Sequence, residues 1–591
     1  MTAARPWLDA SLSPATRAKL LLGAMNLTEK IAQLGGVWGQ ACESEGLYDA
    51  QKAEKVLRNG TGHISRAAQL KRPQDQAHTN NMIQRDLLER TRLGIPAVFH
   101  EESCAGYMAQ DADLFPMPIG LAATFNPEIV RRAGEVIRRQ MLAVGARQTL
   151  APVADVARDA RWGRCEETFG EDPYLVGRMA VAYVQGVQGV DLREGVVCTG
   201  KHFMGYSASQ GGLNWAPAPM GRREMMDTFA APFAAMISEA KVASIMNGYQ
   251  EIDGVPCGGS KVMLTDILRG DLGFTGTVSS DYFTVPTLAN YHNMAASPAE
   301  AARIALEAGL DIELPAIDAY KHLEAEVEAG RLSESVIDIS VLRVLEQKFA
   351  LGLFERPYAD EGKVDMAYGR ATDNLLSRMA AEQSIVLLKN DGVLPFSKEI
   401  KRIAVVGPAA DSARLLQGDY HYPAHHEILY GAMPENAGGQ PGANAGADSL
   451  APMMSEAVSD SLNIKSRKKV DLTRHLPPAV TILEGLRAAF GEENVEFVQA
   501  PFAEFDKARL TAFKQEVKAV GSRVDAFVLC IGTKSGLVKG CLSGEANDSA
   551  TLDVGDSQQY TASEIKFAGK KPVITVVASA PACGPAVSNS K

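Results

Sequence analysis

The residues able to do chemistry in this chain are carboxylates that travel with cations. Asp281 follows the short apolar run Thr277-Val278 and precedes the aromatics Tyr282 and Phe283, so it should be a partly desolvated carboxylate. Lys201, His202 and Arg164 are candidates to surround it and keep it ionised. An ionised carboxylate walled by aromatics suits attack on an anomeric carbon, where a nucleophile meets a flat, cationic sugar. A second carboxyl, protonated at rest, must then face the leaving oxygen. Other chemistries find little footing. Val405-Val406-Gly407-Pro408 lacks any G-x-G-x-x-G continuation, and neither G-x-x-x-x-G-K-[ST] nor H-E-x-x-H occurs. Of the ten histidines only His421, His425 and His426 group, in a Tyr/Pro-rich loop that reads as packing and hydrogen bonding ahead of metal binding. No cofactor or metal is expected.

These groups sit at the ends of apolar runs. The runs are Pro96 to Phe99, Leu150 to Val153, Gly195 to Cys198, Val242 to Met246, Thr277-Val278 and Leu310 to Leu314. Between them lie the helix-like stretches Pro127 to Val144, Pro173 to Val187, Arg223 to Ala240, Lys261 to Arg269 and Pro298 to Ala308. Such alternation means βαβ units and a parallel sheet. Its repetition predicts an α/β fold built on a (β/α)8 TIM-type barrel. Five runs end in useful residues: His100-Glu101-Glu102, Asp155 to Arg164, Lys201-His202, Asn247 to Tyr249 and Asp281-Tyr282. Barrel strands converge on one mouth at their C-terminal ends, so five clusters in register favour a site over five unrelated polar loops.

The barrel is expected over 1–357, ending with a helix through Leu342 to Phe349, and a polar linker over 358–371. A second α/β unit over 372–591 opens with a helix through Ser377 to Ser384 that leads into Ile385-Val386-Leu387-Leu388. Its strands fall at Ile403 to Val406, Val495 to Val498, Ala526 to Ile531 and Val573 to Ala578. Met433 to Leu450, rich in Gly, Ala, Asn and Pro, reads as a mobile insertion. Lys465 to Lys469 reads as a solvated basic run.

Composition bounds the function. The 591 residues suffice for two to four domains at roughly 100–200 residues each. A hydrophobic fraction of 46% with 22% charged residues excludes wholesale disorder and a coiled coil. A net charge of −11 offers no broad positive field, which excludes a general nucleic-acid or acidic-membrane binder. The eight cysteines form no C-x-x-C pair and read as reduced, buried thiols. Leu20 to Met25 leads straight into Thr28-Glu29-Lys30-Ile31, an amphipathic helix in place of a signal-peptide core. No apolar run approaches the roughly 20 residues that span a bilayer. A soluble cytoplasmic protein is expected, with another export route left open.

Against these residues stands a set of segments that resembles glycoside hydrolase family 3, the exo-acting β-glucosidases and β-xylosidases. They are Met25 to Leu34, Gly94 to Glu102, Asp159 to Glu167, Lys201-His202-Phe203, Gly273 to Tyr282 and Ser384 to Asn390. They follow the family's order across residues 20 to 580. The resemblance implies a barrel followed by an α/β sandwich, with the active site between them. It makes Asp281 the nucleophile, Glu102 an acceptor for sugar hydroxyls, and Arg164, Lys201 and His202 the grip on the same ring. Met246 and Tyr249 would be pocket walls, with Tyr249 near the nucleophile, and Tyr282 would stack on the sugar or shape its exit. A structural salt link is the plainer alternative for Lys201 and His202. Ser543-Gly544-Glu545-Ala546-Asn547-Asp548 resembles the Glu-x-x-Asp segment that carries the family's acid/base, which makes Glu545 that residue. The β-N-acetylhexosaminidase branch uses a histidine just after Lys-His-Phe; Met204-Gly205-Tyr206 stands there instead and argues against amino sugars.

The chain also departs from the pattern. Ser549 replaces a usual Arg, which should loosen the loop that aims Glu545, and Val554-Gly555-Asp556 replaces a Leu-Pro-Gly turn. After Val573 to Ala578 the sequence runs into Ser579 to Lys591 without strand or helix pattern, so the sandwich reads as C-terminally truncated. An uncovered sheet edge would then leave the unit poorly stable or covered in an oligomer such as a homodimer. The expected function is a retaining exo-β-glycosidase acting on short β-linked xylo- or gluco-oligosaccharides and aryl glycosides. Glu102, where many glucosidases carry Asp, tilts the preference to xylose. The alternative is a catalytically impaired glycan-binding homologue whose second domain no longer delivers Glu545.

Overall fold

A computed structural model describes residues 5–68, 71–422, 424, 427, 477–500, 507–537, 541–545, 547–568 and 571–578. The insertion at 433–450, the basic run at 465–469, His425, His426 and residues 579–591 lie outside the described residues.

The first unit is a curled parallel sheet whose seven strands pair in chain order. They are β1 (Gly36–Trp38), β2 (His63–Ser65), β3 (Val98–Glu101), β4 (Gln148–Thr149), β5 (Val197–Phe203), β6 (Ser244–Asn247) and β7 (Thr277–Ser279). At the sheet's two edges, parallel bridges join Ser279 to Ile312 and Gly35 to Glu313. Every residue of β2 to β7 is buried, as expected of strands covered on both faces.

The helices between the strands start where the sequence marks them. Pro127–Ala143, Pro173–Gln188 and Pro298–Ala308 each place proline at the first turn, where its missing N–H costs nothing. Asn126, Asp172 and Ser297 cap them through their side chains, each cap worth about 1 kcal/mol. The apolar faces of these helices join one large core with the sheet, including Ile137, Val184, Phe203, Ile245 and Leu306.

Several expectations are corrected here. Β1 and β2 were not anticipated, because three-residue strands containing Gly, His and Ser leave no apolar run. Leu150 to Val153 is not a continuous strand. Pairing stops at Thr149 and resumes as a bridge from Val153 to Lys201, since Pro152 carries no N–H for the ladder. The stretch Arg223 to Ala240 divides into a short turn of helix, a π-helix over Met225–Phe229 and a helix over Ala231–Glu239. The segment expected as a polar linker holds a 3-10 helix, Glu361–Ala367, whose Val364 and Ala367 are buried, and Arg139 Nε donates to the Ala367 carbonyl. The next helix spans Ala371–Ser384, and the apolar Ile385 to Leu388 after it lie exposed.

The second unit is a four-stranded parallel sheet of order β9-β8-β10-β11, formed by β8 (Ile403–Val406), β9 (Val495–Val498), β10 (Ala526–Gly532) and β11 (Val573–Ala578). Alternate residues feed two apolar layers. Ala404, Val406, Phe527 and Leu529 face the helices Lys507–Gly521 and Asp556–Phe567; Ile403, Val405, Val528 and Cys530 face Ile482–Phe490. The helix after β8 thus lies on one face and the helix after β10 on the other. That divergence opens a crevice above the C-terminal ends of β8 and β10, where open α/β sheets hold ligands. Loop 407–422 leaves β8 there, and loop 533–555 leaves β10 there.

Candidate active site

Asp281 follows β7 at the C-terminal rim of the curled sheet. Its Oδ1 accepts from the Tyr249 hydroxyl at 2.8 Å and from the Tyr282 backbone N–H at 2.7 Å. Its Oδ2 is buried without a hydrogen-bond partner among the described residues and faces His202 Nε2 at 3.5 Å. One oxygen is therefore fixed and the other is left to react. Arg164 and Lys201 act on Asp281 in the expected direction, favouring its ionised form. Burial pushes its carboxyl up to about 7, and Arg164, Lys201 and the Tyr249 hydroxyl offset that only in part, while Glu545 adds to the rise.

Lys201 and His202 leave β5 beside it. Lys201 Nζ sits 3.2 Å from Glu102 Oε2, both side chains almost wholly buried. His202 Nδ1 lies 2.7 Å from Asp155 Oδ2, which also accepts the His202 backbone N–H at 2.9 Å. Burial, with Arg164 and Lys201 nearby, holds His202 well below its usual value, and its Nε2 faces Asp281 Oδ2 at 3.5 Å. The salt link foreseen as an alternative for these residues exists, and it lies inside the cluster around Asp281.

Arg164 is held by a bidentate pair with Glu167, at 2.7 and 2.9 Å. Its remaining nitrogen reaches Glu545 Oε1 at 3.1 Å. Glu545 arrives from the second unit, and its Oε2 accepts from the Tyr420 hydroxyl at 2.8 Å. The loosening expected from Ser549 is not what the geometry has. Gly544 N donates to Gly163 O at 2.9 Å, and Ser549 N to Arg161 O at 2.8 Å. Asp548 accepts from the backbone N–H of Gly163 at 2.9 Å and of Asn214 at 2.6 Å. The acid/base candidate is therefore pinned to the first unit on both sides.

The descriptions "Glycosyl hydrolase family 3 N terminal domain" and "Glycosyl hydrolase family 3 C-terminal domain" match residues 26–347 and 385–587. The chain belongs to glycosyl hydrolase family 3. Within that family it is 32% identical to a beta-xylosidase of Formosa agariphila, over 82% of this chain and 62% of the relative. It is similar in structure to a β-glucosidase from Erythrobacter marinus, with a TM-score of 0.81 and 31% identity, covering 97% of this chain and 73% of that one. A β-glucosidase from Listeria innocua bound to isofagomine gives a TM-score of 0.76 at 29% identity, over 95% and 69% of the two chains. The chain spans 55% and 62% of the length of two Formosa agariphila relatives.

In this family 3 chain the walls around Asp281 are aromatic. Tyr282 packs edge-on against Trp38 and hydrogen-bonds His100 Nε2 at 2.9 Å. Tyr249 contacts Trp215 and Tyr206, and Tyr206 meets Trp162 and His202. Met246, expected as a wall, is fully buried in the apolar core with Phe203 and Met204. The structure thus brings Glu102, Arg164, Lys201, His202, Tyr249, Asp281, Tyr282 and Glu545 together. Sequence reasoning missed Asp155 as the partner of His202, the aromatics Trp38, Tyr206 and Trp215, and the pair Asp419-Tyr420. The first is signalled by its strand-end position. Asp419 and Tyr420 carried only the mark of a Tyr-rich loop after a strand.

Proposed function

We propose that this chain is a retaining exo-β-glycosidase that removes terminal β-D-xylosyl or β-D-glucosyl residues from short oligosaccharides and aryl glycosides. Asp281 Oδ2 attacks C1 of the sugar, and the C1–O bond to the leaving group breaks as Glu545 gives its proton to that oxygen. In the second step Glu545 takes a proton from water, whose oxygen displaces Asp281 from C1 and releases the β-sugar. Glu102, Lys201, His202 and Arg164 hold the ring's hydroxyls, and the aromatic walls favour the flat cationic transition state.

The observation that carries this reading is the delivery of Glu545 from the second unit onto Arg164, beside a carboxylate with one bonded and one unbonded oxygen. It speaks against the glycan-binding alternative, which needs Glu545 to be missing from the cavity. The parallel bridges to Ile312 and Glu313 support closure of the first unit as a (β/α)8 barrel, ending near residue 357, with the sandwich beginning near 372. The relatives' names include both xylosidases and glucosidases, and Glu102 in place of the shorter Asp inclines the reading to xylose.

Proton NMR of the first-formed product from p-nitrophenyl β-xyloside tests the mechanism. The β-anomer is expected before mutarotation; α-xylose as the initial product would sink it.

A further inference from the structure

Glu545 hangs from a loop of Ser, Gly and Asn whose ends are pinned, yet three side-chain torsions separate its carboxylate from that backbone. Two donors fix the carboxylate, Arg164 on Oε1 and Tyr420 on Oε2. The glycosidase reading, on which this inference rests, also assigns Arg164 to a sugar hydroxyl, and its guanidinium is already held by Glu167. Tyr420 is the second donor on Glu545, and Arg164 Nη2 donates to its hydroxyl at 3.3 Å.

Tyr420 is built for that task. Its ring is buried against Cys104, Met108, Met117 and Val153 of the first unit. The Lys201 ammonium lies 5.0 Å and the Arg164 guanidinium 5.8 Å from its ring centre. Burial, reinforced by the Glu545 carboxylate, pushes the phenol well above its usual value, so the hydroxyl stays a donor at any working pH. Its neighbour Asp419 fixes the backbone. Asp419 Oδ2 accepts from Glu545 N at 2.6 Å, and Asp419 N donates to Glu166 Oε1 of the first unit at 2.8 Å. His421 ties the same loop down, accepting from Gly418 N at 2.7 Å and donating to the Phe115 carbonyl at 2.8 Å.

We propose that Tyr420 and Asp419 are positioning residues for the acid/base: Tyr420 aims the Glu545 carboxylate, and Asp419 holds the peptide that carries it. Neither touches the reacting atoms. Their loss should therefore be felt where proton donation limits the rate, and not where the leaving group departs unaided.

The experiment compares 2,4-dinitrophenyl β-xyloside, which needs no acid, with xylobiose, which does, in Tyr420→Phe, Asp419→Ala and Glu545→Gln. Tyr420→Phe keeps the ring and removes one hydrogen bond to a charged group, so kcat/KM on xylobiose should fall about tenfold. On the dinitrophenyl substrate it should stay within about twofold of the unmodified protein, because acid assistance is what the change removes. Asp419→Ala, which removes the acceptor of Glu545 N–H, should move the same way. Equal losses on both substrates, or no loss on either, would overturn the positioning role. Glu545→Gln separates the two ideas. If it shows no such split, the acid/base reading itself falls; if it does and Tyr420→Phe does not, only the positioning role falls.

Discussion

Gly163 and Gly544 meet backbone to backbone across the junction of the two units. A Cβ on Gly163 would stand 2.1 Å from the Gly544 carbonyl oxygen and 2.5 Å from that of Asn547. Only glycine lets this loop of the first unit approach the loop that bears Glu545. Gly163→Ala should push that loop away, lowering kcat/KM on xylobiose by about 100-fold, the scale of general acid–base assistance. Dinitrophenyl xyloside should be nearly unaffected, and steady-state kinetics on the two substrates checks it.

The titration of Asp281 sets the acid limb of activity. As nucleophile it must be ionised, and burial places it at about 7 in the sugar-free protein. The pH profile of kcat/KM reports groups of the free enzyme, so on dinitrophenyl xyloside, which needs no acid, it should rise with pH through about 7 and level off above. A limb near the ordinary aspartate value of 3.8 would show that burial does not govern this carboxyl.

The same shift bears on stability. A carboxyl with a folded-state value near 7 and an unfolded value near 3.8 holds its proton more tightly when folded. Its contribution is fully present below 3.8, is lost as pH rises through the window, and leaves a complete penalty above about 7. Asp281→Asn, which keeps an acceptor for Tyr249 and Tyr282, should raise Tm more at pH 8 than at pH 4. Thermal unfolding at both values decides the sign.

How much of this was legible is best seen residue by residue. Pro127, Pro173 and Pro298 announce their helices because cap and proline act locally. Asp281, Lys201-His202 and Glu102 announce the site because apolar strands end on them. The curled sheet's first two strands stayed hidden, since Trp38 and Ser65 end runs too short to show a period. Tyr420 and Asp419 stayed hidden for a different reason. Their role comes from a crevice between β8 and β10 that exists only once the crossovers diverge. Arg164 was placed in the site, and its pairing with Glu167 is local, but its pairing with Glu545 depends on a chain segment nearly four hundred residues away.

Glu102 tests the choice of sugar. Its carboxylate lies 3.2 Å from Lys201 Nζ, and the proposed preference for xylose has it crowd the hydroxymethyl group of glucose. Glu102→Asp withdraws one methylene, and a methylene in a pocket is worth about 1–3 kcal/mol in discrimination. The ratio of kcat/KM on p-nitrophenyl glucoside to xyloside should therefore rise. An unchanged or lower ratio would mean that Glu102 does not crowd glucose.

The most direct test is to trap the glycosyl-enzyme with a 2-fluoro-xylosyl fluoride and locate the label by mass spectrometry of the digested protein. The expected result is one modified peptide, carrying the sugar on Asp281, and no labelling of Asp281→Ala. A sugar found on any other carboxylate, or undiminished turnover by Asp281→Ala, would contradict the role given to Asp281 and the mechanism built on it.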